Sequence, residues 1–232
     1  KVTTGTTLAL TASAGVTGTV HDVTYKLATN TETDALSVTI GNAAAAVDYT
    51  TADKKLTATS IETLTVTSTG LGGNKLTIVD SALKTLKVEG TSSVTLASSD
   101  SAVSTVTATS TGSVNVAAVK LANAGVTATG GAGKLTIDLS NHTDSSIKTA
   151  VDKVVSGAGG VAVTLGSAGA WAATEVNGSQ NGVSYKGVRS SGTNTIDLSA
   201  STAVKDTITA ADGNVSLTKG SAGGITGFAV VN

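Results

Sequence analysis

A repeat of about twenty residues, running from Ser60 to Leu139, is the feature that most restricts how this chain can fold. It divides into four segments of nearly equal length, which begin at Ser60, Ser81, Ser101 and Leu121. Each segment holds two short runs in which apolar residues alternate with Thr, Ser, Lys or Asn, and the first runs begin at Leu64, Leu86, Val106 and Val126. Alternation with a period of two indicates strands that bury one face. Strand-only repeats of this length predict an all-β, parallel β-solenoid (β-helix) with about 20 residues per coil.

The composition favours a narrow core. Hydrophobic residues make up 40% of the chain, but aromatic residues make up only 2%. The interior must therefore be filled by Val, Leu, Ile and Ala, which suits a solenoid better than a wide sandwich. Thr is abundant and β-branched, so it favours strands and gives outward faces an uncharged hydroxyl surface.

The charge balance excludes several classes of partner. Net charge is −1, charged residues make up 13%, and Arg189 is the single arginine, so the basic stripe that nucleic-acid binding needs is missing. No apolar run is long enough to span a membrane, and we expect no membrane insertion. The absence of Cys is compatible with a secreted bacterial protein that forms no disulfides, and equally with a cytosolic protein. Because Lys1 is not an initiator residue, we expect the chain to be a fragment of a longer protein.

Four regions are predicted along the chain. Residues 1–59 form N-terminal strands or atypical first coils, and residues 60–139 form the regular coils. Residues 140–191 form an insertion with a short helix at about 144–155, where Ile147, Val151, Val154 and Val155 share one helical face, followed by a projecting hairpin or loop at 166–187. Residues 192–232 return to solenoid coils, since Gly192–Ser199 resembles Gly133–Ser140. One continuous solenoid is the first choice and two abutting solenoid domains the second.

The C-terminal region carries a family resemblance. The segment NTIDLSASTAVKDTITAADGNVSLTKGSAGGITGF (Asn194–Phe228), together with the Thr/Ala/Val/Ser/Gly-rich composition, resembles bacterial surface-layer (S-layer) proteins of the type I secreted, RTX-related kind. The resemblance implies a β-solenoid unit of a two-dimensional lattice on the cell surface. It also implies structural Ca²⁺ and a separate domain, not present here, that binds surface polysaccharide. The chain departs from the RTX calcium loop at Gly130–Leu135, where Leu135 stands in the position of the ligand Asp.

Calcium ligands are sought among the aspartates, because Ca²⁺ prefers carboxylate and other oxygen ligands. The candidates are residues that neighbouring coils could bring together, namely Asp138, Asp197, Asp206 and Asp212. The alternative for each is a turn former, since Asp also favours strand ends and turns.

The sequence contains few features that indicate a catalytic site. His21 and His142 have no spaced partners, and no nucleophile motif appears. Trp171 and Tyr185, in the predicted projecting loop, could form a small interaction patch, although a Trp there also serves to pack the loop onto the solenoid. A β-helix polysaccharide-active enzyme is the third hypothesis and lacks the aromatic platforms and clustered charges of such sites.

We therefore expect a non-enzymatic structural subunit of a self-assembling bacterial surface layer. Its partners would be copies of itself. The alternative is a secreted adhesin or glycan-binding module, which predicts a monomer with a ligand.

Overall fold

A computed structural model describes residues 7–11, 22–50, 54–122, 125–139, 153–155, 157–165, 175–179, 183–187, 193–200, 206–210, 214–219 and 225–230. For Lys153 and from residue 164 onward it describes the backbone alone. Within these ranges the protein is all-β, with no helix, and no segment in them forms a helix that could cross a membrane. The chain divides into two compact units, Lys1–Lys120 and Leu121–Asn232.

The first unit consists of two sheets of parallel strands between which the chain alternates. The first sheet has the order β1 (Thr7–Leu10), β3 (Ala35–Asn42), β6 (Thr63–Gly70), β8 (Thr85–Gly90) and β10 (Thr105–Ala108). The second has the order β2 (Val23–Lys26), β5 (Leu56–Thr59), β7 (Asn74–Val79), β9 (Val94–Val103) and β11 (Val114–Leu121), with the short β4 (Asp48–Tyr49) beside β7.

The core of this unit is built from files of aliphatic side chains. Leu64 pairs with Leu86 and Leu86 with Val106, so the three residues predicted to stack do so. Leu36 joins the same file through its pairing with Leu64, and all four side chains are at most 1% exposed. The sequence separation between successive members shortens from Leu36 to Val106, so the spacing is not uniform. Val126, the fourth member of the predicted file, is buried and belongs to the second unit.

Glycines allow the tight corners at the ends of β6 and β8. Gly70 and Gly90 have φ values of 74° and 105°, a region that residues with a side chain rarely adopt. Gly90 pairs with Ser68 on the neighbouring strand. A Cβ atom on Gly90 would overlap the carbonyl oxygen of Ser68, so this corner has no room for a side chain.

We expect Gly90→Ala to lower the free energy of unfolding by about 2 kcal/mol, because it adds steric overlap to backbone strain. The measurement is thermal unfolding followed by far-UV circular dichroism. Gly73→Ala is the control: Gly73 also has positive φ, at 86°, but an added Cβ there meets nothing closer than the Cβ of Ala46 at 3.9 Å. Equal losses of unfolding free energy in the two variants would show that the backbone around Gly90 adjusts to the added methyl group without a further loss of stability.

The second unit has the same arrangement of parallel strands in two sheets. One sheet has the order β12 (Thr127–Thr129), β14 (Lys153–Val155), β16 (Glu175–Ser179), β18 (Thr193–Ala200) and β20 (Asn214–Lys219). The other has the order β13 (Leu135–Leu139), β15 (Val161–Leu165), β17 (Val183–Gly187), β19 (Asp206–Ala210) and β21 (Ile225–Val230). The separation between paired residues varies in this unit too, as the pairs Thr127 with Lys153 and Glu175 with Thr195 show.

Two predictions for residues 140–191 need correction. The end of the predicted helix is strand β14, which pairs in parallel with β12 and β16, and Val154 is fully buried there. Closely spaced valines fit a strand as well as a helix, and periodicity over so few residues cannot separate the two. Residues 144–152 lie outside the described residues. Of the two alternatives for 166–187, the hairpin is wrong, because β16 and β17 belong to different sheets and each pairs in parallel with other strands. The projecting loop stays a prediction, since residues 166–174 and 180–182 lie outside the described residues.

The two IDLS-like stretches also take unlike places in the fold. Leu135–Leu139 forms β13 in one sheet, whereas Thr193–Ala200 forms β18 in the other. Sequence similarity between them therefore reflects a shared strand pattern and not the same position in the repeat. The predicted domain boundaries at 59/60, 139/140 and 191/192 stay predictions.

Candidate functional site

The predicted calcium ligands lie apart in the second unit. Asp138 is in β13, beside Thr164 of β15, whereas Asp197 is in β18 of the other sheet, between Asn177 and Thr218. Asp206 begins β19, and Asp212 lies outside the described residues. Within the described part of the chain, no three His, Cys, Asp or Glu residues are grouped so that they could hold a metal ion. Calcium binding stays a prediction.

Of the two residues in the predicted aromatic patch, the structure describes only Tyr185. Tyr185 lies in β17, in register with Val163 on one side and Ile208 on the other. Trp171 lies outside the described residues. An interaction patch formed by these two side chains therefore stays a prediction, with Tyr185 now placed on a sheet strand and not on a hairpin.

One corner of the first unit, formed by the connections that lead into β3, β6 and β8, contains Asp34, Glu62 and Asp80. Asp34 accepts hydrogen bonds from the Thr31 amide (2.6 Å) and the Thr31 hydroxyl (2.9 Å), and its own amide donates to Glu62 Oε2 at 2.8 Å. Asp80 accepts from the amides of Ile61 and Ala82, at 3.0 and 2.9 Å. The bonds from the Asp34 amide to Glu62 and from the Ile61 amide to Asp80 each join one connection to the next, so the corner holds successive turns of the chain together.

Asp80 is the electrostatically unusual member of this corner. Its side chain is only 3% exposed, and burial raises its pKa to about 6. This pKa is the balance of several effects: burial is the largest and raises it, the backbone donors of Ala82 and Ile61 oppose the rise, and the Glu62 carboxylate adds to it. Asp80 therefore changes charge close to neutral pH while it remains part of the turn.

A second polar cluster is fully internal. The Asn74 side chain is 0% exposed; its oxygen accepts from the Val47 amide at 2.9 Å, and its nitrogen donates to Ser68 Oγ and the Thr69 carbonyl, both at 3.0 Å. These bonds join the start of β7 to the end of β6 and to the loop before β4. A buried amide with all these partners is a structural tie, since it exposes no atom to a ligand.

The outward side of the first sheet of unit 1 is a regular polar surface, and we call it the threonine face. It is formed by the strand positions that alternate with the buried files, and its hydroxyl residues are Thr7, Ser37, Thr39, Thr63, Thr65, Thr67, Thr69, Thr85, Thr105 and Thr107. They stand in ranks, as in Thr63–Thr85–Thr105. Neighbouring hydroxyls are spaced by about 4.8 Å across strands and about 6.6 Å along them.

Two charged side chains interrupt this face, both on β8. Lys87 stands in the rank of Thr65 and Thr107, and Glu89 stands beside Thr67. Both are exposed. The ion pairs of the described residues lie elsewhere, between Lys55 and Asp22 and between Lys75 and Asp48, so Lys87 and Glu89 have no charged partner there.

Sequence reasoning found part of this surface. Alternation in the repeats indicated an outward face of Thr and Ser, but it did not show that the ranks lie in register across five strands. Sequence reasoning did not single out Lys87 and Glu89 as a charged pair. Their spacing of two residues in the TLKVEG run is the signal that places both on one face of a strand. The burial of Asp80 had no sequence signal beyond its place at a strand end.

No protein-family model, curated protein or solved structure matches this chain. Function is therefore inferred from its fold and surfaces. Those are an aliphatic interior, hydrogen-bonded corners and a hydroxyl-rich outer face with one pair of opposite charges.

Proposed function

We propose that this chain is a structural subunit of a self-assembling bacterial surface layer, akin to S-layer proteins of the type I secreted, RTX-related kind. In this proposal the parallel strands close into a β-solenoid whose coils follow the sequence repeat. The solenoid serves as a rigid element of a two-dimensional lattice on the cell surface. The role is mechanical, and no reaction is assigned to the chain.

The observation that carries the proposal is the threonine face. Its ordered ranks of half-exposed hydroxyl residues form a regular, almost uncharged surface, which is suited to contact with another regular surface. The buried polar groups of the unit support the same role, because Asn74 and Asp34 direct their hydrogen bonds to turns within the chain.

In this proposal Ca²⁺ binds at contacts between subunits. Carboxylates such as Asp138 and Asp206, from different copies, would supply oxygen ligands that the described part of a single copy does not group together. Attachment to surface polysaccharide would belong to a domain outside this chain.

Purified protein is expected to form ordered sheets at high concentration in the presence of Ca²⁺. Electron microscopy of samples prepared with calcium, with magnesium and with a chelator measures this directly, because a lattice gives sharp diffraction spots. A chain that stays dispersed in all three conditions while binding a glycan tightly would contradict the lattice role and support an adhesin.

A further inference from the structure

The threonine face has a charge pattern that is complementary to itself. Lys87 and Glu89 are two residues apart on β8 and project from the same face, with Val88 buried between them. They are the only charges among the outward residues that the structure describes in β1, β3, β6, β8 and β10. When a second copy faces this surface with its strands antiparallel, the positive group of each copy lies over the negative group of the other.

We propose that the threonine face is a docking surface for the same face of a second copy of this chain, related by a two-fold axis that crosses β8 at the level of Val88. The proposal rests on the self-assembly role above and names the contact through which it would begin.

The geometry follows from the direction of the axis. An axis that lies between the two faces and runs across the strands sets β8 of one copy over β8 of the other in antiparallel orientation. Lys87 of each copy then stands over Glu89 of the other, giving two equivalent ion pairs, as an isologous contact requires. An axis that runs along the strands would instead set Lys87 over Lys87 and Glu89 over Glu89, so like charges oppose that alternative.

The remaining contacts are hydroxyl and methyl groups. In the same arrangement the rank containing Ser37, Thr65 and Thr107 lies over the rank containing Thr39 and Thr67. Because these side chains are short and their ranks regular, the two faces can approach closely without a protruding residue between them. Sheets that pack face to face lie about 10 Å apart.

The area of the face sets the strength of the contact. Five strands with about three outward residues each cover about 500 Å² at normal strand spacing. A stable interface buries about 800 Å² on each partner. The contact made by these five strands alone is therefore weak, with an expected Kd on the order of 0.1–1 mM, and becomes persistent only where copies are concentrated or held by further contacts.

The test is sedimentation equilibrium of the full chain in low salt with a chelator, so that calcium-dependent assembly does not contribute. The wild-type chain is expected to form dimers that weaken as salt is added. Lys87→Glu and Glu89→Lys, each alone, give faces with two like charges, and we expect each to dimerise at least tenfold more weakly. The double variant carrying both changes exchanges the two charges and is expected to dimerise like wild type.

Mixing the two single variants gives the sharpest result. One face then carries two negative charges and the other two positive charges, so a heterodimer is expected although neither variant dimerises alone. The controls are Lys26→Glu and Glu32→Lys, exposed residues off this face that change net charge by the same amounts. Circular dichroism confirms that each variant is folded.

Each outcome separates this docking surface from the lattice role. A wild-type chain that stays monomeric at millimolar concentration, single variants that dimerise like wild type, or a mixture that fails to associate would each overturn the docking surface. Calcium-dependent sheets formed equally well by Glu89→Lys would leave the lattice role standing on other contacts. Dimers that follow the charge pattern, without sheets under any condition, would retain the docking surface and remove the lattice role.

Discussion

Replacing Asn74 with valine is expected to lower the free energy of unfolding by about 3–4 kcal/mol. Valine is the residue that the next strand places beside it, at Val94, so the shape is tolerated in this sheet. The loss comes from hydrogen bonding, because the Val47 amide and the Thr69 carbonyl lose the side chain that binds them. A buried polar group left unpaired costs about 1–3 kcal/mol.

Thermal unfolding followed by circular dichroism should record this as a fall in Tm on the order of 10 °C. Hydrogen exchange adds a local measurement, since the Val47 amide should lose its protection before the strands do. The matched control is Asn115→Val in β11, where the side chain accepts a single local bond from the Ala117 amide at 3.0 Å. A Tm for the Asn74 variant no lower than that of this control would show that Asn74 is not a structural tie.

The fold was predictable to the extent that it depends on period-two alternation. Leu64, Leu86 and Val106 recur at nearly the same place in each repeat, and the structure stacks them in one file. Irregular connections were less predictable, because the longer separation between Leu36 and Leu64 blurs the repeat outside its central part. Val154 illustrates the limit, since its spacing from neighbouring apolar residues fits a helical face but parallel pairing to β12 and β16 places it in a strand.

The sequence predicted which residue types lie on the surfaces, but not how those residues are arranged across neighbouring strands. That Thr and Ser would face water followed from the alternation. That Lys87 and Glu89 would stand alone among them depends on which strands are neighbours, a property of register across five strands. Asp138 and Asp197 show how local sequence can mislead. Their surrounding sequences are similar, but the two residues lie in different sheets and not on adjacent strands.

Lowering the pH from 7 to 5 is expected to stabilise this protein through Asp80. Its pKa of about 6 in the folded chain lies above the ordinary value of 3.8, so the fold binds this proton more tightly than the unfolded chain does. The corresponding stability is fully present below pH 3.8 and is lost as the pH rises through about 6. Since one pKa unit is worth about 1.4 kcal/mol, the gain is at most about 3 kcal/mol over the whole titration, and about 1.3 kcal/mol of it falls between pH 7 and pH 5.

Asp80→Asn tests this assignment, because asparagine stays neutral, retains one acceptor for the corner amides and removes the titration. Chemical unfolding at several pH values should show the free energy of unfolding of wild type rising relative to that of the variant as the pH falls from 7 to 5. Comparing the two chains cancels His21 and His142, which ordinarily titrate over the same range. Asp48→Asn is the control: hydrogen bonding from Thr50 and the charge of Lys75 lower the pKa of Asp48, so its contribution is lost only below pH 3.8. A wild-type curve parallel to that of Asp80→Asn from pH 5 to 7 would mean that the Asp80 carboxylate is ionised throughout this range and that the corner is held by a charged group.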